Sequence, residues 1–347
     1  MPDETKKPYQ NVTVKKGKNS MAEIKGEITA ETLMRHRENA IAEAKRDFSL
    51  PGFRKGNVPD EIFLKHIDEK HVLEDAAERA LNEAYPLLLE DHGIEPVTPP
   101  KIAVTKLAFG DSLAFQATLG VMPDISLPDY KKLAMKIFGE KEPETPVTER
   151  EVNDVIAQIK QMRAAHAEEA PEPTELDDEF VRTLGDFRDV SDFREKLRAN
   201  LALEKEHDAR MVRRETFAKL LSEKTPFAVP EPLVEREIDA LRSRLERQLE
   251  VEQMPKDDYF KKIGKTEEVF LKEQRDYIER QFKTKFILKK IAEKEGITPS
   301  EDEVREGVAH LELHHPDADP VVLYAHAADA LTNEKTLAFL EDIGTKK

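Results

Sequence analysis

The chain has 347 residues, enough for two or three domains, and a formal net charge of -16, so the molecule as a whole repels nucleic acid and only a local basic patch can contact RNA. It has no cysteine, which excludes disulfides, cysteine nucleophiles and thiolate metal sites. No apolar run reaches the roughly 18 residues of a membrane helix and the first residues lack the apolar core of a secretory signal, so we expect a soluble cytoplasmic protein with neither a membrane nor a DNA partner.

Strand and helix patterns alternate in the first 125 residues. Alternating apolar residues predict two pairs of strands, and apolar residues three or four positions apart predict the helices between them. In chain order the predicted elements are two strands around a turn at Gly17–Ser20, a helix capped by Thr29, a short helix after Pro59, a helix over about 69–91, and a hairpin formed by 101–107 and 112–121. This order predicts a compact α+β domain over residues 9–125, a small antiparallel sheet with helices, after a polar tail over residues 1–8.

A short loop joins the first helix of this domain to the next. Residues 51–59 run Pro-Gly-Phe-Arg-Lys-Gly-Asn-Val-Pro, and we call this segment the glycine loop. Its two glycines tolerate positive φ, which allows tight turns on either side of the tip. The tip then carries an apolar ring, Phe53, beside two cations, Arg54 and Lys55, that favour phosphate. The alternative is that Phe53 folds under the loop into the core while the cations simply sit in water.

Residues 126–347 are predicted to form an extended, mainly α-helical domain with arm-like helices. An acidic stretch over 167–179, interrupted by two prolines, is typical of a solvated hinge. The other predicted segments are an extended connector through Ile125, Leu127, Tyr130 and Leu133, a helix opened by the capping box of Thr148 and Glu151, long helices opening at Asp192, at Pro230–Pro232 and at about 267, two shorter helices around Val304–Leu313 and Val321–Leu331, and a mixed tail from Glu334.

Nothing in the sequence indicates an enzyme. The glycines do not form a phosphate-binding loop, and neither a Gly-Lys-Ser/Thr sequence nor a Gly-x-Ser-x-Gly sequence occurs. His310 and His314 share a helix face and have the spacing of zinc ligands, but no third ligand is evident, so we interpret them as surface histidines. We expect no catalytic residue, no metal and no cofactor.

The glycine loop closely resembles the signature of trigger factor, the bacterial ribosome-associated chaperone, which runs Gly-Phe-Arg-x-Gly-Lys-x-Pro. The matching residues are Gly52, Phe53, Arg54, Gly56 and Pro59. Asn57 stands where the family usually has a lysine, which removes one cation. Three later segments are also similar to the family and occur in the family's order: Val147-Thr148 at a helix start, Leu176–Leu184 at the opening of the C-terminal domain, and Pro226–Val234 within it.

The resemblance implies an ATP-independent chaperone that shields nascent polypeptides during folding and, in some cases, export. By the same resemblance its partners are the large ribosomal subunit, contacted at exit-site protein and rRNA, unfolded or nascent polypeptides, and a second copy away from the ribosome. The implied ribosome-binding residues are Gly52, Phe53, Arg54, Lys55 and Gly56. Candidate client-binding residues on the predicted helix faces are Met211, Phe217, Leu241, Leu245 and Phe282. Ordinary helix packing is the alternative for each of these five.

Trigger factors usually carry an FKBP-like prolyl isomerase domain before the C-terminal domain. Here only the acidic stretch, residues 167–176, fills that place, and a domain needs at least about 50 residues. We therefore expect a form of the family without isomerase activity. A prolyl isomerase and an export chaperone with the same helical domain remain the two alternatives.

Overall fold

The computed structural model describes residues 7–139, 146–166 and 176–345, which contain four strands and twelve helices. Most of the predicted polar tail and residues 167–175 of the predicted acidic hinge lie outside the described residues. The strands are β1 (Tyr9–Lys16), β2 (Met21–Ile28), β3 (Lys101–Lys106) and β4 (Leu113–Gly120). The helices are α1 (Ala30–Asp47), α2 (Asp60–Phe63), α3 (Glu69–Asp91), α4 (Tyr130–Phe138), α5 (Glu149–His166), α6 (Asp178–Leu184), α7 (Val190–Glu223), α8 (Glu231–Val251), α9 (Lys256–Lys262), α10 (Glu267–Glu295), α11 (Glu301–His314) and α12 (Pro320–Thr345).

Two compact units divide the chain, and neither follows the predicted boundary at residue 126 throughout. The first unit contains residues up to Ser126 together with Pro226–Phe286. The second contains Leu127–Thr225 together with the residues from Ile287 onward. The division into an α+β domain over 9–125 and a helical domain over 126–347 stays a prediction about independent folding.

The α+β part of the first unit has the predicted architecture. Its sheet is antiparallel, with strand order β1-β2-β4-β3. Helices α1 and α3 pack on one face, where Ile24, Leu33, Leu88 and Leu119 are almost completely buried. Thr29 caps α1 as expected, since its hydroxyl accepts a hydrogen bond from the N–H of Thr32. The small antiparallel sheet with helices is confirmed.

Helices α8 and α9 and the part of α10 up to Phe286 complete the first unit around a second apolar cluster. Leu233, Ile238 and Phe286 are buried there, and Val97 and Met122 from the α+β part pack against them. Gly120 allows the close approach of this segment, because a Cβ at that position would lie 2.7 Å from the Cβ of Pro230. These helices therefore share an apolar core with the α+β part and do not form a separate arm in this region.

The second unit is entirely helical within the described residues. Helix α4 packs against α7 and α12, and Phe138 of α4 lies 5.1 Å from Phe217 of α7, measured between ring centroids. A separate cluster joins α5, α6 and the start of α7 around Val152, Val181 and Phe193. The helical nature of this region is confirmed.

Three predicted elements are wrong in detail. The expected connector after Ile125 is the helix α4, because Asp129 accepts a hydrogen bond from the N–H of Lys132 and four buried side chains lie along one face. The long helix opens at Asp189, whose carboxylate accepts from the N–H of Asp192, three residues before the predicted start. The last predicted helix and the mixed tail form one helix, α12, since Leu340 and Gly344 are buried near its end.

Candidate functional site

The glycine loop is closed by backbone hydrogen bonds immediately after α1. The N–H of Gly56 donates to the carbonyl oxygen of Phe48 at 3.1 Å, which draws the two ends of the loop together. Within it, the N–H of Phe53 donates to Leu50 at 3.0 Å and the N–H of Asn57 donates to Arg54 at 2.9 Å. Two successive tight turns therefore set the shape of the tip.

Both glycines are required by this backbone. Gly52 has φ of 94° and Gly56 has φ of 78°, a region that favours glycine. A Cβ at Gly56 would also lie 3.2 Å from the carbonyl oxygen of Arg46, at the end of α1. The first and fourth matches to the family signature thus have a local conformational reason.

Other apolar side chains fill the space beneath the loop. Phe48 contacts Phe63 edge-on, with ring centroids 5.0 Å apart, and both Phe63 and Val58 are almost completely buried. Phe53 keeps 39% of its surface exposed, and Arg54 and Lys55 are exposed beside it. The alternative in which Phe53 folds into the core is therefore wrong. Val58 was not singled out from sequence, although its apolar character just before Pro59 was a usable signal.

The charge on the loop tip is partly compensated from within the chain. The Nζ of Lys55 lies 2.8 Å from the carboxylate of Asp47, the last residue of α1. The hydrogen bond from Lys55 and the charge of that lysine lower the pKa of Asp47 below its ordinary value, so Asp47 is ionised at neutral pH. Arg54 makes no ion pair with any residue in the described ranges. Arg54 is thus the cation of the tip most readily available to a phosphate.

The five predicted client-binding residues have unequal exposure. Met211 of α7 is 48% exposed, whereas Phe217, two turns further along the same helix, is completely buried against Phe138. Phe217 is therefore a core residue, and its assignment to a client surface is wrong. Leu241 and Leu245 are half-buried and line a small gap between α8, α9 and α10. Phe282 is also half-buried, packed on Phe286.

Several exposed apolar side chains were missed by the sequence analysis because they lie off the buried stripes. In the first unit these are Val251 and Val269, and in the second unit they are Leu203, Val212, Leu313, Val321, Val322 and Tyr324. Their positions outside the apolar stripe of each helix could have predicted that they are exposed. The two units thus each carry apolar surface that their own cores do not use.

The histidine pair of α11 has no further metal ligand among the residues that the structure describes. The rings of His310 and His314 lie 5.2 Å apart, and no group of three or more potential metal ligands occurs in the described part of the chain. None of the described helices has the length and apolar character needed to cross a bilayer.

Comparison with known proteins gives the family. The model of bacterial trigger factor protein (TF) matches residues 10–159, and the model of the bacterial trigger factor protein (TF) C-terminus matches residues 189–314. The chain belongs to the trigger factor family. Residues 160–188 are all that separates the two matches, fewer than the roughly 50 that a domain requires.

Curated relatives match most of this trigger factor family member. The trigger factor of Halalkalibacterium halodurans is 24% identical over 369 residues, covering 82% of this chain and 86% of the relative. The trigger factor of Bacillus subtilis is 24% identical and covers 80% of this chain and 85% of the relative. That of Natranaerobius thermophilus is 26% identical, with 82% of each covered. Each alignment is longer than the whole 347-residue chain, so each relative contains residues without a counterpart here.

A solved structure supports the same fold. It is a structure of the trigger factor chaperone that concerns promiscuous substrate recognition in folding and assembly activities. Its chain aligns with this one with a TM-score of 0.53 at 15% sequence identity. The alignment covers 95% of this chain and 99% of the solved one. Family and fold together support a ribosome-associated chaperone.

Proposed function

We propose that the chain docks at the polypeptide exit of the large ribosomal subunit through the glycine loop and there shields emerging chains without ATP. The observation that carries this proposal is the exposed tip, where Phe53, Arg54 and Lys55 stand on a backbone already closed by hydrogen bonds. A preformed loop loses little conformational entropy on binding. An aromatic ring suits a pocket on a protein and the cations suit rRNA phosphate, so one tip serves both parts of the exit site.

The docking experiment replaces the tip while leaving the fold intact. The triple variant F53A/R54A/K55A should lose co-sedimentation with large ribosomal subunits by at least about tenfold, because the ring and both cations are gone. A matched control is F109A/K15A/K16A, which removes one exposed aromatic ring and two exposed lysines elsewhere in the same unit. Equal binding by the glycine-loop variant and the wild type would reject docking through this loop.

Shielding of clients is proposed to use the exposed apolar side chains of the helices. Met211 in the second unit and Leu241, Leu245 and Phe282 in the first are retained as candidates, with the last three only half-exposed. High charge keeps such surfaces soluble while apolar side chains accept varied segments. The full chain should suppress aggregation of a denatured model protein without ATP, and failure to do so would reject the chaperone role.

Two finer points belong to the same proposal. We expect a cytoplasmic location, because the ribosome is the docking partner, and cell fractionation tests this against the export alternative. We also expect weak self-association away from the ribosome through the exposed apolar surface. Sedimentation velocity over a range of concentrations measures this association.

A further inference from the structure

Strand β3 is an open edge of the sheet. It pairs with β4 on one side and is the last strand in the order β1-β2-β4-β3, so alternate N–H and C=O groups on its other side face outward. All six residues of β3 are exposed. The core cluster of the α+β domain takes buried residues from the other three strands and none from β3.

The apolar residues of β3 lie on the core face of the sheet. Ile102 is opposite Ala117 and Val104 is opposite Phe115, and both partners on β4 are buried. Residues directly opposite each other in an antiparallel pair point to the same face. Ile102 and Val104 therefore continue the apolar face of the sheet beyond the helices that cover it.

The loop after β3 enlarges this apolar margin. Phe109 is 64% exposed, and the guanidinium of Arg37, on α1, lies 4.8 Å from the centroid of its ring. Because α1 packs on the core face, this contact puts Phe109 on the same side of the sheet as Ile102 and Val104.

Strand β1 forms the opposite edge of the sheet, and it has features that hinder pairing with another strand which the centre of β3 lacks. In β1 the register shifts between Gln10 and Thr13, and Asn11 has a positive φ of 52°, which marks a bulge. Its far end carries the exposed lysines Lys15 and Lys16. Bulges and lysines are the usual defences of an edge strand against pairing. In β3 the register shift comes only after Val104, near the hairpin end.

We propose that β3 binds an extended segment of an unfolded polypeptide as a fifth strand. This inference rests on the proposed chaperone function, since it assigns a place for the client on the same unit that carries the glycine loop. Main-chain hydrogen bonds bind a segment largely independently of its sequence, and Ile102 and Val104 select segments with apolar side chains at alternate positions.

Charge determines which occupant fits. The apolar centre of β3 is flanked by Lys101 and Lys106. Two copies of β3 paired antiparallel would bring Lys101 of one copy close to Lys106 of the other, and this repulsion opposes a dimer through this edge. Lys106 is already paired with Asp111 at 3.1 Å, whereas Lys101 has no ion pair with the described residues. The fitting occupant is therefore an apolar client segment with acidic residues at its ends, above all beside Lys101.

The test uses the full chain and a fluorescent peptide of about nine residues, with alternating valine and threonine and two acidic residues at each end. Binding should protect the outward-facing amides of residues 101–104 from hydrogen exchange. The same peptide with its central amides N-methylated keeps its side chains but loses its donors, so it should bind at least about tenfold more weakly. A peptide with lysine at its ends should also bind more weakly.

The matching protein variant is I102T/V104T, which keeps β-branched side chains and removes apolar surface. It should weaken peptide binding by about fivefold or more, since an ethyl group of Ile102 and a methyl group of Val104 are replaced by hydroxyls. Leu64→Thr is the control, because Leu64 lies outside the helices and strands and its exposed fraction of 41% is close to the 39% of Ile102. Unchanged binding by the double variant, or protection confined to other elements, would overturn the proposal.

Two further outcomes separate this inference from its rivals. Self-association that is abolished by I102T/V104T, without any peptide binding, would assign the edge to a second copy and overturn the proposal. Peptide binding at β3 by a chain that does not suppress aggregation would support the strand site while rejecting the chaperone function.

Discussion

In the docking proposed above, rRNA phosphate would compete with the carboxylate of Asp47 for Lys55. The two side chains are both largely exposed, so the internal pair is weak and readily exchanged. On that proposal the carboxylate of Asp47 still lies beside the tip after docking, where it would repel phosphate. In this chain, which also has Asn57 where the family usually has lysine, Asp47 further reduces the positive charge of the loop.

Asp47→Asn should therefore strengthen ribosome binding. We expect an affinity about two- to fivefold higher, measured by co-sedimentation at low salt, with the gain shrinking as salt is raised. Glu90→Gln is the control, because it removes one negative charge from an exposed position in the same unit without touching the loop. Equal gains from both variants would mean that net charge, and not the pair with Lys55, sets the affinity.

The sequence predicted the shape and exposure of the loop tip well and the exposure of single helix-face residues poorly, for a physical reason. The backbone conformation of the tip is determined by the turns at Gly52 and Gly56, and glycines at turn positions can be recognised directly in the sequence. Whether a helical apolar residue is buried depends on which helix packs against it. Met211 and Phe217 both belong to the apolar face predicted for α7, yet only Phe217 lies against α4, and α4 was not predicted.

At the scale of elements, a charged cluster joins α7 to α12. Glu341 of α12 accepts hydrogen bonds from Arg210 and Arg214 of α7, and Arg214 also contacts Glu334. Burial opposes ionisation of Glu341, but the hydrogen bonds from Arg214 and Arg210 outweigh it and lower its pKa to about 2. The ionised carboxylate is therefore the stabilising form in the folded state.

Glu341→Gln should destabilise the fold by about 2 kcal/mol near pH 7, because bonds from two charged donors are weakened. The folded pKa lies below the unfolded value of 4.5, so the stabilisation by Glu341 is complete above that value and is lost as the pH falls towards 2. The difference between variant and wild type should shrink between about pH 5 and about pH 3 in urea unfolding followed by circular dichroism. Glu334→Gln, at a more exposed position, should cost less, and a pH-independent difference would contradict this account.

The contact between α4 and α12 depends on two small residues. A Cβ on Gly344 would lie 2.5 Å from the Cβ of Phe138 and 2.9 Å from the carbonyl oxygen of Ala134. Gly139 faces the same contact, since a Cβ there would lie 2.9 Å from the carbonyl oxygen of Gly344. Backbone atoms on both sides leave little freedom to adjust.

Gly344→Ala should therefore cost about 1–3 kcal/mol of stability despite the better helix propensity of alanine. Thermal unfolding measures the change. Gly307→Ala in α11 is the matched control, because its Cβ would meet only the side chains of Ala327 and Leu331, at 3.3 and 3.6 Å. The control should stay within about 0.5 kcal/mol of the wild type. Similar losses in both variants would show that glycine removal itself, and not the close contact, is responsible.

Local signals identified most elements, and non-local packing decided the others. The predicted capping box of Thr148 and Glu151 forms at the start of α5, and β1, β2 and α3 lie where the apolar patterns predict them. Helix α12 was cut short in the prediction because Glu334 and Lys335 interrupt its apolar pattern. Their side chains are satisfied by Arg214 and by Glu303 on other helices, which no periodicity within α12 displays.

At the scale of the whole molecule, we expect no prolyl isomerase activity. The two family matches leave only residues 160–188 between them, which is too short for a separate catalytic domain. Uncatalysed prolyl isomerisation takes tens to hundreds of seconds, so catalysis of a proline peptide would be easy to detect. A rate that rises in proportion to purified full-length protein would contradict this expectation and revive the enzyme alternative.

The division of the first unit into two chain segments has a consequence for how the protein is made. Val97, Met122 and Ile125 pack against Leu233, Ile238 and other residues of Pro226–Phe286, which the ribosome synthesises much later. Translation proceeds at about 5–20 residues per second, so on the order of 5–20 s pass between the addition of Ser126 and the synthesis of Pro226. During this time the early segment of the first unit lacks the later segment that completes its core. During translation the chain therefore exposes apolar surface of its own, and a copy docked at the exit site, as proposed, would be positioned to protect it.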